Sequence, residues 1–255
     1  MHPVVNHLIQ LQELMLIRDE EKVTMGLSRL EQMDSSIREM TDKLPPETRS
    51  FVEKLHKKDH VVIVPVTAGI CEACGMKMPL SLVQAVRLGR EIHGCPNCAK
   101  MLFFPESAPR WVGKAPRRSE PRKVGISRFS SHTLMIPRLE SDDMEGVIRE
   151  LAYKMEYEGF VDKADRLVES ALRREAILST AVDHGIAFPH VRNVEGGGLT
   201  LALGITAKAI KWSASAEPVT RMVFFMAIPT AASAFYLKLL AGLTETFMKP
   251  DARKI

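Results

Sequence analysis

The 255-residue chain predicts an α/β fold, a sheet covered by helices, preceded by a helical hairpin and a small cysteine-rich module. Three observations carry this expectation. Apolar residues step by three and four over roughly the first 58 positions, four cysteines stand in two close pairs between Cys71 and Cys98, and strongly apolar runs alternate with amphipathic ones from about residue 131. The composition, 45% apolar and 26% charged, is that of a soluble globular protein, and the length suits one large domain or two ordinary ones. A net charge of +4 is too small to imply a nucleic-acid or membrane partner by itself.

Residues 1–58 read as a helical hairpin or coiled coil. Leu30, Met33, Ile37, Met40 and Leu44 form one seam, and Val4, Leu8, Leu11 and Met15 an earlier one. Between them IRDEEK interrupts the apolar period, so the register is expected to shift there. Pro45 and Pro46 end the helix, and Glu47 to Lys57 form a second one running back. A seam this short serves either a solvated spacer or a dimerisation arm, which makes a homodimer through these helices an expected assembly.

The strand HVVIVPV follows, and residues 59–104 hold the cysteines. Residues 105–129, PESAPRWVGKAPRRSEPRKVGISRF, combine prolines with Arg110, Lys114, Arg117, Arg118, Arg122 and Lys123 and have no apolar period, so they read as a basic linker. Such charge can meet nucleic acid or anionic lipid, but without an aromatic pattern a solubilising tether is the plainer reading.

Residues 130–255 form the α/β part. HTLMIPRL is a short strand. Ser141 caps a helix reaching Lys154, with Asp142, Asp143 and Glu145 in its first turn. Asp165 to Arg174 form the next helix, with Leu167, Val168, Ala171 and Leu172 on one face. GIAFPH is a strand running into a turn, LTLALGIT and VTRMVFFMAIP are apolar strands, and AFYLKLLAGLTETFM is an amphipathic helix. Within these, residues 222–237 are shorter than the roughly 20 apolar residues a bilayer span needs and contain Pro229, so no membrane span is expected. The start, MHPVVNHLIQ, lacks the basic n-region of a signal peptide, and together with the paired cysteines it suggests a cytoplasmic protein.

Cys71, Cys74, Cys95 and Cys98 make the pattern C-x2-C, twenty residues, C-x2-C. Two residues between thiolates let a tight turn aim both sulfurs at one ion, and two such knuckles supply the tetrahedral sulfur set that structural zinc takes. Gly75 helps the first turn reverse and Pro96 stiffens the second. Four protein ligands leave no open coordination position, so no catalysis is expected there. His93 reads as a surface residue beside the site. The segment CEACGMKMP…GCPNCAKMLFF, following a helical hairpin and VVIVPV, resembles the bacterial C4-type zinc-ribbon proteins with an N-terminal coiled coil, over roughly residues 1–104. That resemblance implies a fold and a metal; nucleic-acid binding is suspected in the family.

In GIAFPHVR, residues 185–192, His190 follows Pro189 at the end of an apolar strand. Proline fixes the local backbone, and strand ends at an open sheet edge are where reactive groups collect. Arg173 and Arg174, at the end of the preceding helix, could return to the same edge. His184 has no acidic or cysteine partner at ligand spacing, so no metal cluster is expected there. A lone histidine is more often structural than reactive. A neutral imidazole is nevertheless a competent nucleophile near neutral pH.

The segments ALRREAILSTAVDHGIAFPHVR, IKWSASAEPVTRMVFFMAIP and AFYLKLLAGLTETF, in that order, resemble the fructose/mannitol-type (type 2) EIIA domain of the bacterial phosphoenolpyruvate-dependent sugar phosphotransferase system, and equally its nitrogen-regulatory branch. The resemblance implies a mixed sheet flanked by helices. It implies that His190 accepts a phosphoryl group from an HPr-type phosphocarrier and passes it to an EIIB domain or, in a regulatory role, signals to a target protein. It matches Arg174 to the arginine beside the active histidine and Thr180 to the signature threonine that shapes the pocket. At the position of the family's second histidine this chain has Tyr236, which can donate a hydrogen bond but cannot carry the imidazolium charge. The family also continues past FMKPDARKI into a further helix, so the expectation is a domain lacking its last helix.

Overall fold

In the computed structural model, residues 3–24, 30–105, 109–113, 125–196, 198–213 and 219–253 are described. By packing, the chain falls into two units, Met1–Glu106 together with Ser233–Ile255, and Ser107–Ala232.

In the first unit, α1 (Pro3–Thr24) runs unbroken through IRDEEK, where a register shift was expected. Charged residues are good helix formers, and here Arg18 bonds its neighbour Asp19 at 2.8 Å and Asp34 at 3.2 Å instead of breaking the helix. The next helix is α2 (Leu30–Asp42). The hairpin is therefore formed by α1 and α2: Arg18 meets Asp34 while His7 Nε2 donates to the Met40 carbonyl at 2.7 Å, an antiparallel arrangement. Helix α3 (Pro46–His56) starts with proline in its first turn, where the missing N–H costs nothing.

Three short strands follow the order β2-β1-β3, with β1 (Ile63–Thr67), β2 (Ile70–Cys71) and β3 (Met101–Phe103). β1 pairs antiparallel with β2 and parallel with β3, Ile63 opposite Met101 and Val64 opposite Leu102. Ile63, Met101 and Phe103 face a core built from Val5, Leu8, Leu11, Met15, Ile37, Leu44 and Val52. Val64, Val66 and Leu102 face the opposite side, with Cys71, Cys95 and Val86 of α4 (Leu80–Leu88). A strand buried on both faces needs a continuous apolar run rather than alternation, which is why VVIVPV reads as it does. Gln12 of α1 ties the layers: its Oε1 accepts from the N–H groups of Val62 (2.6 Å) and Ile63 (2.8 Å), and its Nε2 donates to the Ile63 carbonyl at 2.9 Å. The seam residues thus fill the unit's own core, a third use beside spacer and dimerisation arm.

The second unit is a mixed sheet with helices. Its strands are β4 (Met135–Leu139), β5 (Ala181–Val182), β6 (Ile186–Ala187), β7 (His190–Arg192), β8 (Thr200–Ile210) and β9 (Thr220–Ile228). The order is β4-β8-β9-β6-β5, with β7 also on β9. β8 and β9 are antiparallel, whereas β4 lies parallel to β8 and both β6 and β7 lie parallel to β9. β6 and β7 are two pieces of one line along β9, interrupted at Phe188 and Pro189. Pro189 has no N–H for the ladder, and its carbonyl still accepts from the Met226 N–H at 3.0 Å.

Helices α5 (Met144–Tyr157) and α6 (Ala164–Ile177) cover one face, packing Ile148, Leu151, Leu167 and Val168 against Ala187, Val191, Val223 and Phe225. The cap of α5 is Asp143, whose carboxylate accepts from the Gly146 N–H at 2.7 Å, and not Ser141. Ser141 is held instead by Glu150 Oε2, which accepts from its amide and its hydroxyl.

Residues 109–113 do not hang free. Glu195 N–H donates to the Pro109 carbonyl, Trp111 N–H to Glu195 and Val112 N–H to Phe160, at 2.8, 2.6 and 2.9 Å. A β-carbon on Gly198 would sit 2.4 Å from the Trp111 ring, so only glycine leaves room for the indole there. The linker's basic residues Lys114, Arg117, Arg118, Arg122 and Lys123 lie outside the described residues. Helix α7 (Ser233–Phe247), the amphipathic helix expected from AFYLKLLAGLTETFM, groups with the first unit, where α1 packs beside it.

Candidate functional site

The cysteine pairs fold into two matching knuckles. Cys71 N–H donates to the Met76 carbonyl at 3.0 Å and Cys95 N–H to the Lys100 carbonyl at 2.8 Å. The carbonyls of the same two cysteines accept from Gly75 and Ala99, at 2.8 and 2.9 Å. Gly75 (φ 71°) and Ala99 (φ 60°) thus occupy equivalent left-handed positions. Only the first has the glycine that the conformation favours.

The four sulfurs lie within 4.8 Å of one another, with Cys71–Cys98 at 3.8 Å and Cys74–Cys95 at 3.7 Å. A tetrahedron of thiolates at a bond length of about 2.3 Å has edges of about 3.8 Å, so the donor set fits a single metal ion. Burial pushes the Cys71 and Cys98 thiols up. At Cys74 burial acts the same way, but hydrogen bonds led by Asn97 and the Met76 backbone bring it down to about 7. His93 is half-buried, and the cluster consists of the four cysteines without it.

His190 opens β7 and is 2% exposed. Its neighbour Val191 points into the core shared with α5 and α6, so strand alternation puts His190 and Arg192 on the opposite face. Phe188 is on that face too, its ring stacked on Phe224 at 5.3 Å. His190 Nδ1 lies 3.0 Å from the Phe188 carbonyl oxygen. A carbonyl can only accept, so Nδ1 carries the proton and, in the neutral ring, Nε2 carries the lone pair.

The two arginines of α6 separate. Arg173 is exposed and pairs with Glu169 at 3.2 Å. Arg174 is 8% exposed, and its Nη1 donates to the Leu178 carbonyl at 2.8 Å, closing the end of the helix. Thr180 is also buried, but its hydroxyl donates to Glu175 Oε2 at 2.7 Å. Arg174, Thr180 and His190 belong to the unit Ser107–Ala232. Tyr236 is fully buried on α7, in the unit of α1. His184, exposed with φ 67°, joins no metal-ligating group among the described residues.

Two further residues enter this neighbourhood, Arg192 and the Glu175 of the Arg174–Glu175 pair. Arg192 shares the face of His190, a relation the period of two in HVR already contains. Glu175 stands beside Arg174 in the helix and binds Thr180, which only the folded loop reveals.

Residues 129–254 match the family described as "Phosphoenolpyruvate-dependent sugar phosphotransferase system, EIIA 2". The "PTS system fructose-specific EIIA component" of Haloferax volcanii is 28% identical over 96 residues, 38% of this chain and 62% of that protein. The "PTS system fructose-specific EIIABC component" of Bacillus subtilis is 26% identical over 126 residues, 49% of this chain and 20% of that protein. The chain thus spans less than two thirds of the length of either relative. Among solved structures, the nitrogen regulatory protein IIA-Ntr from Neisseria meningitidis has a TM-score of 0.45 at 22% identity, covering 49% of this chain and 86% of its own. No helix among the described residues is long and apolar enough to cross a membrane.

Proposed function

We propose that the chain is a phosphoryl carrier of the phosphoenolpyruvate-dependent sugar phosphotransferase system, with His190 as the residue that takes the phosphoryl group. The observation that carries this reading is the Nδ1 contact to the Phe188 carbonyl, within the segment that matches the EIIA 2 family. It holds the ring in the tautomer whose Nε2 is nucleophilic. In the reaction Nε2 attacks phosphorus of a phosphohistidine on an HPr-type carrier. One P–N bond forms on His190 as the other breaks, and the donor imidazole departs. The Phe188 carbonyl favours the positive charge that develops on the His190 ring. Transfer to an EIIB domain runs the same exchange outward. Arg174 is the cation assigned to the phosphoryl oxygens, which requires it to exchange the Leu178 carbonyl for them. Thr180 acts on the pocket through its bonds to Glu175, and Tyr236 is the residue standing where the family's second histidine would be.

For the cysteine module we propose structural zinc. The support is a four-sulfur donor set with edges of 3.7 and 3.8 Å. Cys71, Cys74, Cys95 and Cys98 would hold the ion, which when bound cross-links the two knuckles and supplies no reactive position.

A regulatory role is the second reading, in which phosphorylation of His190 reports phosphotransferase status and the first unit engages a target protein or nucleic acid. The presence of a closed metal-type site in the same chain favours it, since a relay to EIIB has no use for one.

The test of the carrier reading is direct. Incubation of the full chain with phosphoenolpyruvate, enzyme I and an HPr-type carrier is expected to give acid-labile, alkali-stable phosphate on the wild type and none on His190→Ala. Equal labelling of the two sinks the assignment.

A further inference from the structure

Glu175 is a buried acid, 7% exposed, at the end of α6, and three donors converge on it. Its Oε1 accepts from the Thr180 N–H at 2.7 Å and from Trp212 Nε1 at 2.8 Å, and its Oε2 accepts from the Thr180 hydroxyl at 2.7 Å. Trp212 is itself 1% exposed and part of the core under α5 and α6. Thr180 is therefore clamped by main chain and side chain to a carboxylate braced on the core.

The clamp continues toward the histidine. The Thr180 carbonyl accepts from the Phe188 N–H at 3.1 Å, and the Phe188 carbonyl accepts from His190 Nδ1 at 3.0 Å. Glu175, Thr180, Phe188 and His190 are thus linked in one unbroken series of hydrogen bonds. Pro189 offers no N–H to the ladder at this point, so the Phe188 main chain is held by its bond to Thr180, while its ring stacks on Phe224. The Phe188 carbonyl can only accept, so its contact with Nδ1 favours the tautomer with the proton on Nδ1.

We propose that Glu175 is a positioning residue for His190: through Thr180 and Phe188 it places the carbonyl that selects the tautomer with the lone pair on Nε2. The chemical purpose assigned to that tautomer rests on the carrier reading above, but the tautomer itself does not. Glu175 never touches the reacting atoms, and its effect is carried wholly by geometry.

The experiment uses the full chain labelled with 15N-histidine, observed by long-range proton–nitrogen correlation at pH 8, with the His190 signals assigned by their loss in His190→Gln. The wild type is expected to show a protonated Nδ1 and an unprotonated Nε2. In Glu175→Ala the ratio of that tautomer to its alternative should fall by about fivefold or more, the scale of one intramolecular hydrogen bond. Glu175→Gln keeps an acceptor for the two N–H donors and lets its amide donate to the Thr180 hydroxyl, so it should restore the wild-type pattern. Should Glu175→Ala fail to fold, Thr180→Val, which removes the hydroxyl bond alone, is expected to shift the ratio in the same direction. A wild-type pattern in whichever of these variants is folded overturns the proposal. If the variants behave as expected but the wild type takes no phosphate from an HPr-type carrier, the carrier reading fails while the role of Glu175 stands. If the wild type is labelled and Glu175→Ala is labelled at the same rate with an unaltered tautomer, Glu175 has only a folding role.

Discussion

At the scale of single residues, the chemistry of an imidazole is set by what its second nitrogen touches. His190 has a carbonyl there. His56 has its Nδ1 buried without a hydrogen-bond partner, and burial lowers its pKa from 6.5. Asp19 works against that shift, whereas Arg18 and His60 add to it. The sign follows from linkage: the unfolded chain takes up the proton more readily than the folded one. The stability associated with His56 is therefore complete above pH 6.5 and is lost as pH falls from there through the lowered folded-state value. The protection factors of the α3 amides, which divide out the intrinsic pH dependence, should fall by a few-fold between pH 7.5 and 5.5, and His56→Gln should flatten that dependence. An unchanged slope in the variant would remove His56 as its source. Residue chemistry of this kind is poorly visible in sequence. His56, His184 and His190 all look like isolated histidines in the chain; one is half-buried on a helix, one exposed at a turn and one buried on a sheet.

Elements were read more readily than their ends and their partners. The alternation of apolar runs located β8, β9, α5, α6 and α7, because a helix or strand shows its period locally. Asp143 caps α5 in place of the expected Ser141, since both are good capping types and Glu150, from within the helix, holds Ser141. The lapse of the apolar seam at IRDEEK leaves α1 itself intact, because its charged side chains find partners. Gln12 shows how strongly one side chain can bind elements together: it satisfies two N–H groups and one carbonyl of the β1 edge. Gln12→Ala leaves these buried groups unpaired and should cost about 2–4 kcal/mol in denaturant unfolding followed on the first unit. A loss below about 0.5 kcal/mol would mean that water replaces the side chain.

For the molecule as a whole, two units with their own cores imply two separable responses. The cysteine knuckles belong to the unit with α1 and α7, while His190 belongs to the other. Zinc content measured on the full chain is expected to be one ion per chain and to be lost in Cys95→Ser. Removal with a chelator should expose the amides of β1, β3 and α4 to hydrogen exchange, and leave those of β8 and β9 protected. Because metal binding displaces thiol protons, the ion should be held less tightly as pH falls, most clearly below the pKa of Cys74, about 7. A chain that keeps its metal in Cys95→Ser, or loses β8 and β9 protection together with the metal, contradicts this division.

The sequence alone determined what depends on residue type and short spacing: the paired cysteines as a metal-type donor set, the apolar periods that mark most helices and strands, and His190 as the residue to examine. Only the tertiary structure decided where long-range contacts choose among local possibilities. It folds the α1 seam into the unit's own core, docks residues 109–113 on Glu195 and Phe160, and groups α7 with α1. It also joins Glu175 to His190 through Thr180 and Phe188. The physical reason is the same in each case. Periodicity and chelate spacing act over a few residues, whereas a buried donor or apolar face takes its partner from whatever distant segment the fold brings beside it.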